Sequence, residues 1–226
     1  MNRVAAFFDF DQTLITTHTA YLVGKYLREN NIKVFCGKRL SLFYFLKLIT
    51  VKQLSATPLV SAGKLEEVLF EFYKGRRRDL VLEWAAEFYE DYIKGHLAPV
   101  LLNKINEHRN KGHYLVIVSG GVRDILQVVA DNMKFDDLLC SDLEVDGRGY
   151  YTGKPLGVSC IGMNKQLNAK NLAKKMNIDM KNSFSYGNQH DDIPILEIVG
   201  NPFAVEPTQE LLQVAKIKGW PILSYH

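Results

Sequence analysis

The stretch that decides the fold is Val4-Ala-Ala-Phe-Phe-Asp9-Phe-Asp11-Gln-Thr13-Leu-Ile15. Its apolar run, rich in aromatic residues, is typical of a buried strand. Side chains alternate along a strand, so Asp9 and Asp11 point the same way and Phe10 points to the opposite face. Two like charges at the end of a buried strand are costly to desolvate unless a positive charge compensates them. The stretch therefore predicts a site for a divalent cation with oxygen ligands.

The same two aspartates have a purely structural alternative. In isolation they could begin a turn, or Asp11 or Thr13 could cap the following helix. In open α/β sheets, however, ligands bind at the carboxyl ends of the strands, where loops from several strands meet. Whether Asp9 and Asp11 form a site therefore depends on what the other strand ends carry.

Composition limits the class of protein. The 226 residues are 47% hydrophobic, so the chain can bury a full core and can hold one large domain with an insertion. A net charge of +3 is too small to predict a nucleic-acid partner. Cys36, Cys140 and Cys160 are widely spaced, which argues against a zinc site or disulfides and predicts a cytoplasmic protein. The short N-terminal apolar run is interrupted by the aspartates and does not predict a signal peptide.

The chain divides into two regions of different periodicity. Residues 16–98 show helical spacing and almost no strand pattern, whereas from Pro99 onwards strands alternate with helices. Such alternation indicates a parallel sheet covered on both faces. The predicted fold is α/β: a doubly wound parallel sheet built from residues 1–15 and 99–226, with an all-helical cap, residues 16–98, inserted after the first strand. The later strands are predicted at Tyr114–Val118, Phe184–Tyr186, Phe203–Val205 and Pro221–Leu223, with a hairpin around Asp146-Gly147.

Two features of the predicted cap bear on its ligand. The apolar run from Leu40 to Lys52 is broken by Lys47 and falls short of the ~20 residues that span a membrane, so we expect a buried or interfacial helix. The second feature is a run of three arginines, which forms either a solvated turn between helices or a patch for an anionic substrate or surface: Arg76, Arg77 and Arg78.

Two further strand ends carry polar residues. Ser119-Gly120-Gly121 follows an apolar strand and opens a helix, so it offers a hydroxyl and several backbone N–H groups, a cradle of the size of a phosphate. The same tripeptide also serves as an ordinary turn before a helix.

The third strand end is followed by Asn188, Asp191 and Asp192, an amide oxygen and two carboxylates that suit a cation with oxygen ligands. Lys165, at the start of the preceding helix, could add a positive charge, although a lone lysine is usually a surface residue. Because the carboxyl ends of neighbouring parallel strands meet, we expect all of these groups to converge.

Together the residues fit phosphoryl transfer. A phosphoryl group is repelled by the carboxylates unless magnesium, a lysine and oriented N–H donors offset the charge. Asp9 is then able to attack phosphorus and form an acyl phosphate. Asp11 can protonate the leaving alkoxide and then activate the water that hydrolyses the intermediate.

These motifs resemble those of the haloacid-dehalogenase-like phosphatases, in the phosphoserine-phosphatase-like branch with a helical cap after the first strand. The resemblance covers roughly residues 1–15 and 99–226, and the motifs that carry it are Asp9-Phe-Asp11-Gln-Thr13, Val116-Ile-Val-Ser119-Gly-Gly, Lys165 and Gly187-Asn188-Gln-His-Asp191-Asp192.

The resemblance implies a role for each matching residue. It implies a nucleophile at Asp9 and an acid/base at Asp11. The phosphate ligands that it implies are Ser119, the N–H of Gly120, and Lys165. The Mg²⁺ ligands that it implies are Asp9, the backbone carbonyl of Asp11, Asn188 and Asp192, the last directly or through water.

The sequence departs from the family pattern at three positions. The family usually has Asp where this chain has Asn188, so the metal site has one negative charge fewer. Gln12 replaces a frequent Gly, which matters little because only the backbone turns there. His18 stands where phosphoserine enzymes carry a glutamate for the substrate ammonium, so phosphoserine is a doubtful substrate. His18 and Asp191 are the candidate substrate contacts, and His18 could equally be an exposed residue at a helix start.

The sequence predicts a magnesium-dependent phosphomonoester hydrolase that acts through an aspartyl-phosphate on a small or amphiphilic organic phosphate. A lysophospholipid is one such amphiphile, which leaves a membrane surface or lipid phosphate as a partner to test. The alternatives are a phosphate-binding or regulatory module without turnover and a phosphotransferase. No pattern in the sequence predicts the oligomeric state.

Overall fold

The computed structural model describes residues 2–31, 33–40 and 62–225. At its centre lies a six-stranded sheet in which every neighbouring pair is parallel. From one edge to the other its strands are β10 (Ile222–Leu223), β9 (Asn201–Val205), β8 (Phe184–Gly187), β1 (Ala5–Phe8), β4 (Tyr114–Val122) and β5 (Asp137–Ser141). Two antiparallel hairpins complete the strands: β2 (Val34–Phe35) with β3 (Lys38–Arg39), and β6 (Leu143–Val145) with β7 (Tyr151–Pro155).

Helices of the chain from Pro99 onwards cover both faces of the sheet, and three further α-helices lie in the described part of residues 16–98. In chain order they are α1 (Thr19–Glu29), α2 (Ala62–Tyr73), α3 (Arg78–Phe88), α4 (Pro99–Asn110), α5 (Arg123–Asn132), α6 (Met163–Met176), α7 (Ile193–Leu196) and α8 (Gln209–Lys218). Alternate residues of β1 enter different apolar clusters: Phe8 packs with α4 and α5, whereas Phe7 packs with α6 and α7. The predicted doubly wound α/β fold is confirmed.

The central strand β1 is buried along its whole length, which explains its unbroken apolar sequence. Phe8 stacks on Tyr186 of β8 with the ring centroids 4.7 Å apart. The hydroxyl of Tyr186 lies 2.8 Å from Nε2 of His108 on α4, so this buried polar group has a partner. Since β1 lies between β4 and β8, Asp9 comes directly after the middle of the sheet.

Within the central sheet, the structure adds the unpredicted strand β5 and lengthens β4. The edge strand β5 was not predicted, because Asp137-Leu-Leu-Cys-Ser141 is short and directly precedes the hairpin. Strand β4 continues to Val122, with a shift of its register against β5 after Val118, and helix α5 begins only at Arg123. The Ser119-Gly120-Gly121 tripeptide therefore lies in the irregular last part of a strand rather than opening a helix.

The two ends of the inserted segment, residues 16–98, lie next to each other. The N–H of Ala98 donates to the carbonyl of Leu14 at 2.9 Å, and Ile15 pairs with Leu97 across the junction. Its described part is mainly helical, with the short β2–β3 hairpin as an addition that the sequence did not predict. The predicted helix from Leu40 lies almost entirely outside the described residues. Within the described ranges, no helix has the length and apolarity needed to cross a bilayer.

The arginine run joins helix α2 to helix α3, and Arg77 and Arg78 are exposed there. Arg76 is buried, with its guanidinium 3.9 Å from the centre of the Phe72 ring. Arg77 pairs with the neighbouring Asp79, and Arg78 binds Asp124 of α5 through two hydrogen bonds of 2.7 and 2.9 Å. The predicted solvated turn therefore holds for Arg77 and Arg78 but not for Arg76, because sequence spacing cannot show that Arg76 is buried against an aromatic ring. The alternative, a patch for an anion, stays a prediction.

The β6–β7 hairpin holds the inserted segment by its backbone. The N–H groups of Gly75 and Arg78 donate to the carbonyls of Tyr151 and Gly149, at 2.8 and 3.0 Å, and the N–H of Tyr151 donates to the carbonyl of Arg76 at 3.0 Å. The hydroxyl of Tyr151 also donates to Asp124, the residue that binds Arg78. The hairpin therefore joins the inserted segment to helix α5.

Candidate active site

Three adjacent strands bring the predicted site residues to one edge of the sheet. Asp9 follows β1, Ser119 lies near the end of β4, and Asn188 follows β8. Because the three strands are parallel neighbours, their carboxyl ends lie side by side. All three side chains are buried, which is unusual for polar residues and requires that the protein or a bound ligand supply their partners.

Asp9 is held on both carboxylate oxygens. The Thr13 hydroxyl donates to Oδ2 at 3.0 Å, and the Lys165 ammonium donates to Oδ1 at 2.6 Å. Burial and the nearby charge of Asp192 raise the pKa of Asp9 to about 7, against the opposing effect of Lys165. Any cation that binds here favours the ionised form of Asp9.

Lys165 is a buried residue of α6, with 2% of its surface exposed, and not the surface residue that a lone lysine usually is. Its ammonium lies 2.6 Å from Oδ1 of Asp9 and 2.6 Å from Oδ1 of Asp192. Burial alone lowers the pKa of Lys165, but the charges of Asp192 and Asp9 outweigh it and the pKa is raised. The ammonium is therefore a fixed positive charge between two carboxylates.

Asp192 organises the loop after β8. Its Oδ2 accepts the backbone N–H groups of Asn188 and Gln189 at 2.9 and 3.1 Å, while Oδ1 accepts from Lys165. The carboxylate packs so tightly on the end of β8 that a Cβ atom on Gly187 would lie 2.5 Å from Cβ of Asp192. Gly187 is a site residue that the sequence identified only as part of a motif.

Asn188 has one partner too few. Its Nδ2 lies 3.5 Å from Oε1 of Gln12, a residue with a left-handed backbone at φ 55°. Its Oδ1 is fully buried and has no hydrogen-bond partner among the described residues. Because an unpaired buried oxygen is costly, this atom is suited to receive a ligand such as a cation.

The donor set fits magnesium. It combines the carboxylates of Asp9 and Asp192, the orphan amide oxygen of Asn188 and the backbone carbonyl of Asp11, and oxygen ligands of this kind are those Mg²⁺ prefers. No three His, Cys, Asp or Glu side chains in the described ranges converge as a metal-binding group. The fit therefore depends on the amide and the carbonyl as much as on the carboxylates.

One oxygen of the Asp11 carboxylate is bound by the inserted segment. Its Oδ1 accepts the backbone N–H of Thr19 at 2.7 Å and the Thr19 hydroxyl at 2.6 Å. The carboxylate thus binds the first turn of α1, where it is stabilised by the helix dipole. Sequence reasoning missed Thr19, although a hydroxyl residue at the start of a predicted helix was a usable signal.

The end of β4 combines a hydroxyl with two closely packed glycines. Oγ of Ser119 accepts the N–H of Gly121 at 3.1 Å. A Cβ atom on Gly120 would lie 2.9 Å from Cγ1 of Ile161, and one on Gly121 would lie 2.9 Å from Cδ1 of Leu126. Close packing therefore favours glycine at both positions, since an added methyl group would have to displace Ile161 or Leu126.

The two candidate substrate contacts differ in their surroundings. His18 precedes α1 and is half-buried, and its carbonyl accepts the N–H groups of Tyr21 and Leu22. Asp191 is half-buried beside Gly162 at the start of α6, and burial raises its pKa. Both residues therefore remain predicted substrate contacts.

Comparisons of the sequence with known proteins identify hydrolases and phosphatases as relatives. The sequence model of the haloacid dehalogenase-like hydrolase family matches residues 6–197, which is most of the chain. A histidinol-phosphatase from Neisseria meningitidis is 26% identical over 237 residues, covering 97% of this chain and 98% of that protein.

Solved structures share the fold. A protein of unknown function from Bordetella pertussis has a TM-score of 0.85 at 20% identity, with both chains covered completely. A phosphoserine phosphatase solved as an analogue of its phospho-aspartyl intermediate has a TM-score of 0.67 at 19% identity, covering 100% of this chain and 95% of the other. At such identities the likeness shows the fold alone.

Proposed function

The chain belongs to the haloacid dehalogenase-like hydrolase family, and we propose that it is a magnesium-dependent phosphatase that hydrolyses an organic phosphomonoester through an aspartyl-phosphate. The observation that carries the proposal is the buried pair of ion pairs that Lys165 makes with Asp9 and Asp192 at the carboxyl edge of the sheet. Burial of three charges is costly for stability, which favours a role in binding or catalysis.

In this proposal Asp9 is the nucleophile. Thr13 and Lys165 fix its carboxylate from both sides, so that one oxygen is oriented for attack on phosphorus. The bond from phosphorus to the substrate oxygen breaks as the acyl phosphate forms. Water then attacks the phosphorus of the acyl phosphate and releases inorganic phosphate and free Asp9.

Asp11 is the proposed acid and base. It gives a proton to the leaving alkoxide in the first step and takes one from the attacking water in the second. The hydrogen bonds from Thr19 hold one oxygen of its carboxylate and leave the other free for this exchange. Thr19 is therefore a positioning residue in the proposed reaction.

The charge of the phosphoryl group is met by three donors of this chain. The Ser119 hydroxyl, the Gly120 N–H and the Lys165 ammonium are the proposed phosphate ligands. When bound, magnesium supplies positive charge that offsets repulsion between the phosphate and the carboxylates. Asp9, Asn188, the Asp11 carbonyl and Asp192 are the residues proposed to hold it, Asp192 either directly or through water.

We further propose that residues 16–98 form a cap that selects a small or amphiphilic phosphate, with His18 and Asp191 as candidate contacts. The named relative acts on histidinol phosphate, which is one candidate of the small class. We propose that the protein works in the cytoplasm, since its three cysteines are free thiols.

The test is phosphate release from a panel of phosphomonoesters, with and without magnesium. In Asp9→Asn the nucleophile is lost, and we expect at least a thousandfold lower kcat on p-nitrophenyl phosphate. Asp131→Asn is the matched control, because Asp131 is an exposed residue at the end of α5, towards the opposite edge of the sheet. Unchanged turnover in Asp9→Asn would refute the mechanism.

A binding module without turnover is the second candidate, favoured by the uncharged Asn188. Its signature is thermal stabilisation by inorganic phosphate with no phosphate release at high magnesium. A phosphotransferase differs by product: transfer of the phosphoryl group to an added alcohol yields a new phosphoester instead of inorganic phosphate.

A further inference from the structure

A second orphan oxygen lies at the same edge of the sheet as Asn188. The Tyr225 hydroxyl is fully shielded from solvent, and it has no hydrogen-bond partner in the described part of the chain. Its ring packs against the main apolar core. Burying a hydroxyl without a partner costs free energy, so the native site is expected to provide that partner.

A strained turn fixes the position of this tyrosine. Glu206 follows β9 with a left-handed backbone at φ 39°. Its Oε1 accepts the N–H of Tyr225 at 2.7 Å and the hydroxyl of Ser224 at 2.5 Å. A non-glycine residue in this conformation is unfavourable, so the contacts of the carboxylate compensate the strain and hold the tail in one place.

The strand order places Tyr225 on the Asn188 side of Asp9. Tyr225 follows β10, and β10, β9 and β8 lie in succession on one side of β1, opposite to β4 and its Ser119. The N–H of Thr208 donates to the carbonyl of Asn188 at 2.8 Å, which ties the loop after β9 to the loop after β8. Burial, then the charges of Glu206 and Asp9, raise the pKa of Tyr225, so its hydroxyl stays protonated within electrostatic reach of Asp9.

We propose that the Tyr225 hydroxyl accepts a hydrogen bond from a water molecule held by the magnesium ion at Asp9 and Asn188, an inference that rests on the proposed function. A phenolic oxygen can accept such a bond while its own proton remains available for a neighbouring acceptor. Partners of this outer kind orient the ligands of a metal and contribute to its affinity.

The neutral side chain of Asn188 explains why a contact from Tyr225 would strengthen magnesium binding. An amide oxygen coordinates a cation without adding negative charge, so the site binds magnesium with one charge fewer than a site with aspartate. An additional hydrogen-bond acceptor for the cation's water partly compensates for that loss. Tyr225 is therefore assigned to metal binding rather than to contact with the phosphate.

The experiment measures the affinity for Mg²⁺ alone, by calorimetric titration of the metal-stripped full chain. Tyr225→Phe removes only the hydroxyl, and we expect about fivefold weaker Mg²⁺ binding, the loss of one net hydrogen bond. Its melting temperature in EDTA should be no lower than that of the wild type, because the hydroxyl has no partner in the described part of the metal-free protein. Tyr114→Phe is the matched control, because it removes a hydroxyl at the opposite end of the sheet and should leave Mg²⁺ affinity unchanged.

The outcomes separate this inference from the proposed function. Wild-type phosphate release together with equal Mg²⁺ affinity in Tyr225→Phe and wild type overturns the role of Tyr225 and leaves the phosphatase proposal standing. Equal losses in Tyr225→Phe and Tyr114→Phe also overturn it, because the effect is then not specific to the site. Absence of Mg²⁺ binding and of phosphate release in the wild type overturns both.

Discussion

Asp11 and Thr19 connect the sheet to the inserted segment: one carboxylate oxygen of Asp11 accepts both the N–H and the hydroxyl of Thr19, at 2.7 and 2.6 Å. The two residues are eight positions apart and lie on opposite sides of the junction. The proposed acid/base is thus positioned by the first turn of α1, and its orientation depends on where that helix lies.

Thr19→Val tests this positioning role. The variant keeps the backbone N–H bond and the side-chain volume but loses the hydroxyl, so we expect kcat to fall about tenfold with little change in KM, since hydrogen bonds to charged groups contribute about 1.5–3 kcal/mol. Thr19→Ser should retain most of the activity. Thr16→Val is the control, because its hydroxyl makes only a long, exposed bond of 3.4 Å to the carbonyl of His96. A Thr19→Val enzyme with wild-type kcat would show that the bond does not position Asp11 for the reaction.

Gly120→Ala tests the phosphate cradle. The new Cβ atom would lie 2.9 Å from Cγ1 of Ile161, so either the isoleucine or the strand end must shift. We expect KM for p-nitrophenyl phosphate and the inhibition constant of inorganic phosphate to rise at least tenfold, because the Gly120 N–H no longer points at the ligand.

The double variant Gly120→Ala/Ile161→Ala makes room for the added methyl group and should recover part of the phosphate affinity. Gly147→Ala is a suitable control, since a Cβ atom there meets no atom within 4 Å. Unaltered phosphate affinity in Gly120→Ala would remove Gly120 from the set of ligands.

The fold was largely predictable from local patterns, and the site only in outline. The run up to Asp9 and the alternation after Pro99 encode the parallel sheet directly, because a strand buried on both faces must be continuously apolar. Strand β5, Asp137–Ser141, was not predicted because five residues are too few for their hydrophobic pattern to distinguish a strand from a loop.

The unpredicted parts of the site are contacts between residues distant in sequence. No local pattern shows that Lys165 is buried between two carboxylates or that Arg76 lies on an aromatic ring. Each depends on how helices pack against the sheet edge. Motif resemblance identified Lys165 where spacing alone favoured a surface residue.

The Arg78–Asp124 pair should stabilise the attachment of the inserted segment. Two hydrogen bonds join the guanidinium to a carboxylate that is 9% exposed, and Tyr151 donates to the same carboxylate. A double-mutant cycle on Arg78 and Asp124, with alanine at each position, should give a coupling of about 1–3 kcal/mol in the free energy of unfolding by urea.

The same cycle on Arg77 and Asp79 is the internal comparison. Both partners of that pair are exposed, so the coupling should be much weaker than that of Arg78 and Asp124. Equal coupling free energies in the two cycles would mean that the burial of Asp124 does not strengthen its interaction with Arg78.

The buried histidine of α4 predicts a pH dependence of stability. His108 lies 2.8 Å from the Tyr186 hydroxyl and 2.8 Å from Nδ1 of His113. Burial, followed by the charges of His113 and Lys111, lowers the pKa of His108 to about 4. The unfolded chain therefore binds a proton at pH values where folded His108 does not, and the free energy of unfolding should fall as the pH drops from about 6.5 towards 4.

Urea unfolding of the metal-free protein at pH 7.5 and pH 5 measures this effect. The glutamine of His108→Gln cannot take up a proton, yet it still offers a hydrogen-bond partner to Tyr186. Between pH 7.5 and pH 5 we therefore expect the free energy of unfolding of the variant to fall by about 1–2 kcal/mol less than that of the wild type. Asp9, with its raised pKa, acts in the opposite direction over this range, but it is present in both proteins and cancels in the comparison. His190→Gln is the control, because His190 is an exposed residue. An identical pH dependence in wild type and His108→Gln would show that His108 titrates alike in the folded and unfolded chain, and that its burial does not disfavour the charged ring.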